Sequence, residues 1–235
     1  MSTKTKLAGV DGCRNGWIVA LASGWPCEKP LELQFCADFA AVLEATTHCL
    51  AVAVDMPIGL PDGPAPRACD LEAQQALGKQ RSSIFLAPPR GTLDAKDPRE
   101  FQRLHRELRG VGAGLPVWGI VPKMREVNVA IEANPGLQDR VFEFHPERTW
   151  RRLAGGRSLA KKKTPAGALD RIAVLNATAG CWTSLESYEI PGKPALDDIL
   201  DAISGLAAAQ VFLTEPRPAA PRNSRGIRME IWPWD

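Results

Sequence analysis

The chain has 235 residues, a formal net charge of +2, 45% hydrophobic residues and 24% charged residues. These fractions are ordinary for a globular protein, and the length allows one sizeable core, either a single α/β domain or a compact domain with an insertion. No apolar stretch approaches the ~20 residues that a membrane-spanning helix needs, and the N-terminus leads into a strand rather than a signal sequence. We therefore expect a cytoplasmic protein without a membrane partner.

Six cysteines are scattered along the chain without any C-x-x-C pair. This spacing argues against a structural zinc site and against a thioredoxin-like motif. We expect the cysteines to be buried, reduced thiols.

The first predicted element is a β-hairpin within residues 6–22. Two apolar runs flank Asn15 and Gly16, and this pair is a strong hairpin signal because both central residues of a type I′ turn need positive φ. Asp11 lies near the end of the first run. A carboxylate at the end of a buried strand is costly to desolvate, so we expect a metal ion or an ionic partner to compensate it.

A second aspartate ends another apolar strand. Residues 31–36 alternate as a half-exposed strand does, Asp38 is a suitable N-cap for a short helix, and residues 50–55 have the continuous apolar character of a parallel strand buried on both sides. Three meandering strands followed by a crossover helix are compatible with the fourth strand lying beside the first. Asp11 and Asp55 would then be neighbours.

Residues 62–138 are predicted to form a mostly helical insertion packed over the sheet. Helices are indicated at 67–78, 97–108 and 121–133. The second of them begins with the capping pair Asp97-Pro98 and ends before Gly110. Nothing in this segment requires a core of its own.

A fifth strand is predicted over residues 141–147. The alternation in this segment places Glu143 and Glu147 on one face and two phenylalanines on the other. If this strand lies beside the fourth, Glu143 can join the two strand-end aspartates.

The last predicted element is a helix over residues 194–213 that carries three aspartates. Asp197 and Asp198 lie near its N-terminus, where the helix dipole and capping account for acidic residues. Asp201 lies further in, beside small residues that allow close approach to the sheet, so capping explains it poorly.

Basic residues are concentrated between Arg148 and Leu169, where seven of them stand without an acidic residue. A second basic, Pro-rich segment covers residues 216–228. Such an excess is either a phosphate-binding surface hidden by the near-neutral total charge or a set of solvated charges in a loop and a tail. Both interpretations stay open.

Six blocks of the chain together resemble the family catalogued as domain of unknown function 429, whose members are predicted ribonuclease H-like nucleases. The blocks are VDGCRNGWIVA, DMPIGLP, RACDLEAQQALGKQRSSIFLAPPR, EFHPE, KKKTPAG and LDDILDAISGLAAA. They span roughly residues 10–209, in the family's order. The resemblance implies an α/β fold of the ribonuclease H-like type, which is a mixed five-stranded sheet with helices on both faces.

The resemblance also implies an acidic site built from the first strand, the fourth strand and a C-terminal helix. Asp11 corresponds to the first-strand aspartate, and Asp55 stands where the fourth-strand carboxylate is expected. On the C-terminal helix, Asp201 is the preferred ligand and Asp198 is the alternate. Glu143 is a further ligand or a group behind the ligands.

The function that this resemblance implies is metal-dependent hydrolysis of phosphodiester bonds in nucleic acid. Three or four converging carboxylates need cations, and Mg²⁺ or Mn²⁺ accepts oxygen-only ligands. Two such ions can activate a water and stabilise the leaving oxygen. Basic side chains would position the phosphate backbone. The candidates are Arg81, Arg90, Arg151, Arg152, Lys161, Lys162 and Lys163.

Two other functions stay open. One is a non-catalytic nucleic-acid-binding or scaffold protein whose acidic residues hold a structural ion. The other is an ATP-binding protein, because the hairpin at 11–17 also resembles the phosphate-binding hairpin of actin-like kinases. Those enzymes need a second similar lobe, and the chain shows no internal repeat. The C-terminal IWPWD is a candidate for packing on the body of the protein or for a homodimer contact.

Overall fold

The computed structural model describes residues 6–28, 31–180 and 192–232. The described chain divides into two compact units. The first takes in the described residues up to 55, those within 140–217, and Trp232, whereas the second takes in residues 56–139 and 218–231. A single domain with an insertion at about 62–138 stays a prediction.

The first unit is built on a five-stranded sheet with the order β3-β2-β1-β4-β5. The strands are β1 (Lys6–Cys13), β2 (Gly16–Ala22), β3 (Glu32–Cys36), β4 (Cys49–Val54) and β5 (Val141–Glu143). β2 pairs antiparallel with β1 and β3, whereas β4 pairs in parallel with β1 and β5. The predicted ribonuclease H-like α/β sheet, with the fourth strand beside the first, is confirmed.

The described residues contain seven α-helices. They are α1 (Phe39–Ala45), α2 (Ala68–Leu77), α3 (Pro98–Arg109), α4 (Leu115–Ala133), α5 (Pro146–Leu153), α6 (Pro165–Thr178) and α7 (Leu196–Thr214). The predicted N-cap of α1 is confirmed, since Asp38 Oδ1 accepts the N–H of Ala41 at 2.8 Å.

Helices cover both faces of the sheet. On one face, Leu7, Ile18 and Ala53 belong to an apolar core that includes much of α7. Alternation along β2 directs the side chain of Trp17 to the other face. There its ring centroid lies 5.4 Å from that of Phe39 in α1.

α7 approaches β1 at two glycines. A Cβ atom added to Gly9 would lie 2.8 Å from Gly205 Cα, and one added to Gly205 would lie 2.7 Å from Gly9 Cα. These distances are too short for any side chain, so the backbones of strand and helix are in direct contact. The small-residue stretch of α7 therefore packs closely on the sheet, as the sequence predicted for the neighbourhood of Asp201.

The predicted strand over 141–147 is wrong beyond Glu143, where β5 ends. Pro146 begins α5, so Glu147 lies on a helix rather than on a strand face. The fixed φ of proline suits the first turn of a helix. The basic segment 148–169 is also not a plain loop, since it contains most of α5 and the first residues of α6.

The second unit is helical over residues 56–139, where α2, α3, α4 and three 3₁₀-helices occur and no strand is present. α4 begins at Leu115 rather than at residue 121 and contains Pro122. A buried ion pair joins Arg67 to Asp70, and Asp70 Oδ2 also accepts the N–H of Ala87 at 2.9 Å.

Trp232 is fully buried in the first unit, where its backbone N–H donates to the backbone carbonyl of Glu143 at 2.9 Å. This part of the C-terminal segment thus packs on the protein, whereas Trp234 lies outside the described residues. The five described cysteines are buried, and no disulfide joins any two of them; Cys181 lies outside the described residues. No described helix combines the length and apolar character needed to cross a membrane.

Candidate functional site

Asp11 lies on β1, on the sheet face that carries α7. It is paired with Ile18 of β2 and is only 6% exposed. Burial raises the pKa of Asp11 well above its usual range, and the carboxylates of Asp55 and Asp201 raise it further. The first-strand aspartate is therefore close to the two other aspartates that the sequence singled out.

Asp55 follows the last residue of β4, and its N–H donates to the carbonyl of Val10 in β1 at 2.9 Å. Burial raises the pKa of this half-buried carboxyl to about 8, although Lys162 opposes the shift. Repulsion from Asp201 adds to the rise. Asp11 and Asp55 thus lie at the same end of two adjacent parallel strands, as the sequence predicted.

Asp201 is the fully buried aspartate of α7. Its Oδ1 accepts the indole N–H of Trp150 at 2.8 Å, and its Oδ2 accepts the ammonium of Lys162 at 2.7 Å. A buried carboxylate is stable only with such partners. We refer to Asp11, Asp55 and Asp201 as the acidic cluster.

Asp198 lies one turn before Asp201 and has a capping role. Its Oδ2 accepts the N–H of Ala195 at 3.2 Å, at the start of α7. Asp198 is half-buried and slightly raises the pKa of Asp11, so it borders the acidic cluster. Asp197 is half-buried in the first turn of the same helix and raises the pKa of Asp198.

Glu143 is buried at the end of β5, where it pairs with Val54. Its neighbour Phe142 belongs to the core beneath α7, so alternation directs the Glu143 side chain to the opposite face of the sheet. Glu143 nevertheless raises the pKa of Asp55. It therefore acts on the acidic cluster from the other face of the sheet.

Lys162 is the cation that compensates the acidic cluster. Burial alone would lower the pKa of this lysine, but the three aspartates of the cluster outweigh that effect and raise it. The sequence marked Lys162 only as one of several candidate phosphate contacts. The structure gives it a specific carboxylate partner.

The other candidate phosphate-binding residues differ in their surroundings. Arg90 is held by Glu132 through two hydrogen bonds of 2.6 and 2.9 Å, and Arg152 is paired with Glu215. Arg81 is exposed on a 3₁₀-helix of the second unit, and Arg151 is half-buried on α5. Lys161 and Lys163, on either side of Lys162, are exposed.

A supporting network that the sequence did not reveal lies behind Lys162. The buried guanidinium of Arg171 donates to Glu147 Oε1 at 2.7 Å and to the carbonyls of Ala160 and Gly167 at 3.0 Å. It also lies 5.7 Å from the ring of Trp150. The only sequence signal was the helix start at Thr164-Pro165, which would have placed Arg171 on a helix but not its partners.

The acidic cluster offers carboxylate oxygens, the donors that Mg²⁺ and Mn²⁺ prefer. Because burial and repulsion raise the pKa of Asp11 and Asp55, added positive charge would stabilise their ionised forms. Among the described residues, no three His, Cys, Asp or Glu side chains are arranged to hold one ion. The donor set fits a divalent ion in its chemistry, and the acidic cluster would supply the ligands.

Comparisons with known proteins bear on the family alone. No curated protein and no solved structure matches the chain. The family model described as "Protein of unknown function (DUF429)" matches residues 9–223, which is most of the chain. The chain therefore belongs to the DUF429 family.

Proposed function

We propose that this protein is a divalent-metal-dependent hydrolase that cleaves phosphodiester bonds in nucleic acid. The observation that carries the proposal is the acidic cluster. Its members come from β1, from the end of β4 and from α7 of a ribonuclease H-like fold. They are close enough that Asp55 and Asp201 raise the pKa of Asp11, and Asp201 raises the pKa of Asp55. Burying several carboxylates close together costs free energy unless cations compensate their charge, and such clusters are typical of functional sites.

Each member of the site has a role in this proposal. The acidic cluster would hold Mg²⁺ or Mn²⁺, with Asp198 as a further ligand and Glu143 adding negative charge behind Asp55. Bound ions would supply the Lewis acidity for activating water and stabilising the leaving oxygen. Trp150 orients Asp201 through its indole N–H. The exposed Lys161 and Lys163 would contact backbone phosphates.

The test is cleavage of labelled DNA and RNA by purified protein in Mg²⁺ and in Mn²⁺. We expect Asp11→Asn to remove at least about 99% of the activity, because it deletes one ligand charge while keeping the side-chain size. Asp38→Asn is the matched control, since asparagine caps α1 as well as aspartate does. Undiminished cleavage by Asp11→Asn, with an unchanged circular dichroism spectrum, would refute the proposal.

A non-catalytic nucleic-acid-binding or scaffold protein is the second candidate, and one observation favours a form of it that needs no structural ion. The ammonium of Lys162 already compensates Asp201, so the acidic cluster can be stable without any metal ion. Tight binding of nucleic acid with no turnover across Mg²⁺ and Mn²⁺ concentrations would support this function over hydrolysis.

Nucleic acid is the partner that follows from the proposed function. A homodimer and a cytoplasmic location stay predictions. Sedimentation equilibrium would decide between a monomer and a homodimer.

A further inference from the structure

Lys162 occupies the acidic cluster as a cation supplied by the chain itself. Its Nζ lies 2.7 Å from Asp201 Oδ2, and its side chain is 36% exposed whereas that of Asp201 is fully buried. Its charge also acts on the carboxylates of Asp11 and Asp55. One ammonium therefore provides positive charge to all three aspartates that would bind a divalent ion.

The backbone on both sides of Lys162 is fixed. The N–H of Ala160 donates to Asp170 Oδ2 at 3.0 Å, and the hydroxyl of Thr164 donates to the carbonyl of Lys161 at 2.8 Å. The carbonyl of Ala160 is held in turn by Arg171. With the backbone held, the movable part of this segment is the flexible four-carbon stem that carries the ammonium.

Asp201 has a second partner besides Lys162 that orients its carboxylate. Its other oxygen, Oδ1, is held by the fully buried indole of Trp150. If the ammonium moved away, Oδ2 would remain directed as it is and would become available to another cation. A divalent ion at that oxygen would repel an ammonium still bonded to it, because like charges in a poorly solvated site are weakly screened.

We propose that Lys162 and a divalent ion are alternative occupants of the acidic cluster, so that ion binding requires the ammonium to leave Asp201. The inference rests on the metal-binding part of the proposed function. The lysine thus lowers the affinity of the site for divalent ions and keeps the aspartates compensated in their absence.

The first test measures Mn²⁺ affinity by isothermal titration calorimetry. Lys162→Met removes the competing charge and keeps the length of the stem, so we expect Mn²⁺ to bind at least about tenfold more tightly than in the wild type. Lys161→Met and Lys163→Met make the same change in net charge at exposed positions and should alter the Kd by less than about twofold. Equal or weaker binding in Lys162→Met would overturn the inference.

A second test uses the wild-type chain, so it does not depend on the folding of any variant. The lysines are acetylated with a limiting amount of an amine-reactive acetylating reagent, with and without saturating Mn²⁺. The modified sites are then identified by mass spectrometry. We expect Mn²⁺ to increase the modification of Lys162 severalfold and to leave Lys161 and Lys163 unchanged. Constant or reduced modification of Lys162 would contradict the exchange of occupants.

Neither readout involves cleavage of nucleic acid. A protein that shows both effects but cleaves nothing would keep this inference and lose the proposed activity. A protein that cleaves in an Asp11-dependent manner but binds Mn²⁺ equally with and without Lys162 would keep the activity and lose the inference.

Discussion

Individual carboxylates in the first unit are held in conditions that oppose their ionisation. Asp11 is almost fully buried, and Asp55 has a pKa of about 8. Burial raises the pKa of both carboxyls, and the charge of Asp201 raises it further. Lys162 opposes both shifts without cancelling them. These residues therefore make the stability of the protein sensitive to pH.

We predict that the free energy of unfolding falls as the pH rises from about 5 to 8.5. Over this range the folded chain binds more protons at Asp55 than the unfolded chain, whose aspartates have a pKa of about 3.9. The stabilisation that comes from the proton bound at Asp55 is complete below a pH of about 3.9. It is lost as the pH rises through about 8. In Asp55→Asn this fall should be smaller by about 1 to 3 kcal/mol.

Urea unfolding at a series of pH values measures this difference. Asp38→Asn is the control because it makes the same change at an exposed N-cap, and it should keep the wild-type pH dependence. The same pH dependence in Asp55→Asn as in the wild type would show that the carboxyl is not perturbed.

At the scale of elements, the contact of α7 with β1 sets the position of Asp201. The approach of Gly205 to Gly9 leaves no room for a Cβ atom on either residue. Any side chain there would push the helix away from the strand and would move Asp201 away from Asp11.

We predict that Gly205→Ala lowers the free energy of unfolding by about 3 kcal/mol or more, because backbone atoms must shift to admit the methyl group. Gly119→Ala is the matched control within α4, where an added Cβ meets nothing within 4 Å. That substitution should stabilise by about 0.5 to 1 kcal/mol through helix propensity. Equal effects of the two changes in urea unfolding would contradict the close packing.

Local sequence signals predicted most elements, and their failures have local causes. The Asp38 and Asp97 caps correctly predicted the starts of α1 and α3. The first hairpin is present, but the predicted type I′ turn at Asn15-Gly16 is wrong. The two turn residues are 14 and 15, Gly16 already begins β2, and neither Asn15 nor Gly16 has a positive φ. The alternation that continues after β5 predicted a longer strand, which is wrong because Pro146 begins a helix there. α6 was missed although Thr164 caps it, since the basic run before it suggested a loop.

At the scale of the whole molecule, the sequence predicted which aspartates converge but not what compensates them. Asp11 and Asp55 follow from strand order, because adjacent parallel strands end at the same edge. Lys162 and Asp201 are 39 positions apart, and nothing distinguishes this lysine from Lys161 and Lys163 in the sequence. The contact of Trp150 with Asp201 could not be predicted either, because a buried tryptophan usually belongs to the apolar core.

We propose above that Asp11, Asp55 and Asp201 hold divalent ions. An anomalous difference map from a crystal soaked in Mn²⁺ tests it most directly. We predict Mn²⁺ density within coordination distance of oxygens from all three aspartates, with the Lys162 ammonium displaced from Asp201. A map at saturating Mn²⁺ without density at these aspartates, and with Lys162 still bonded to Asp201, would contradict the claim.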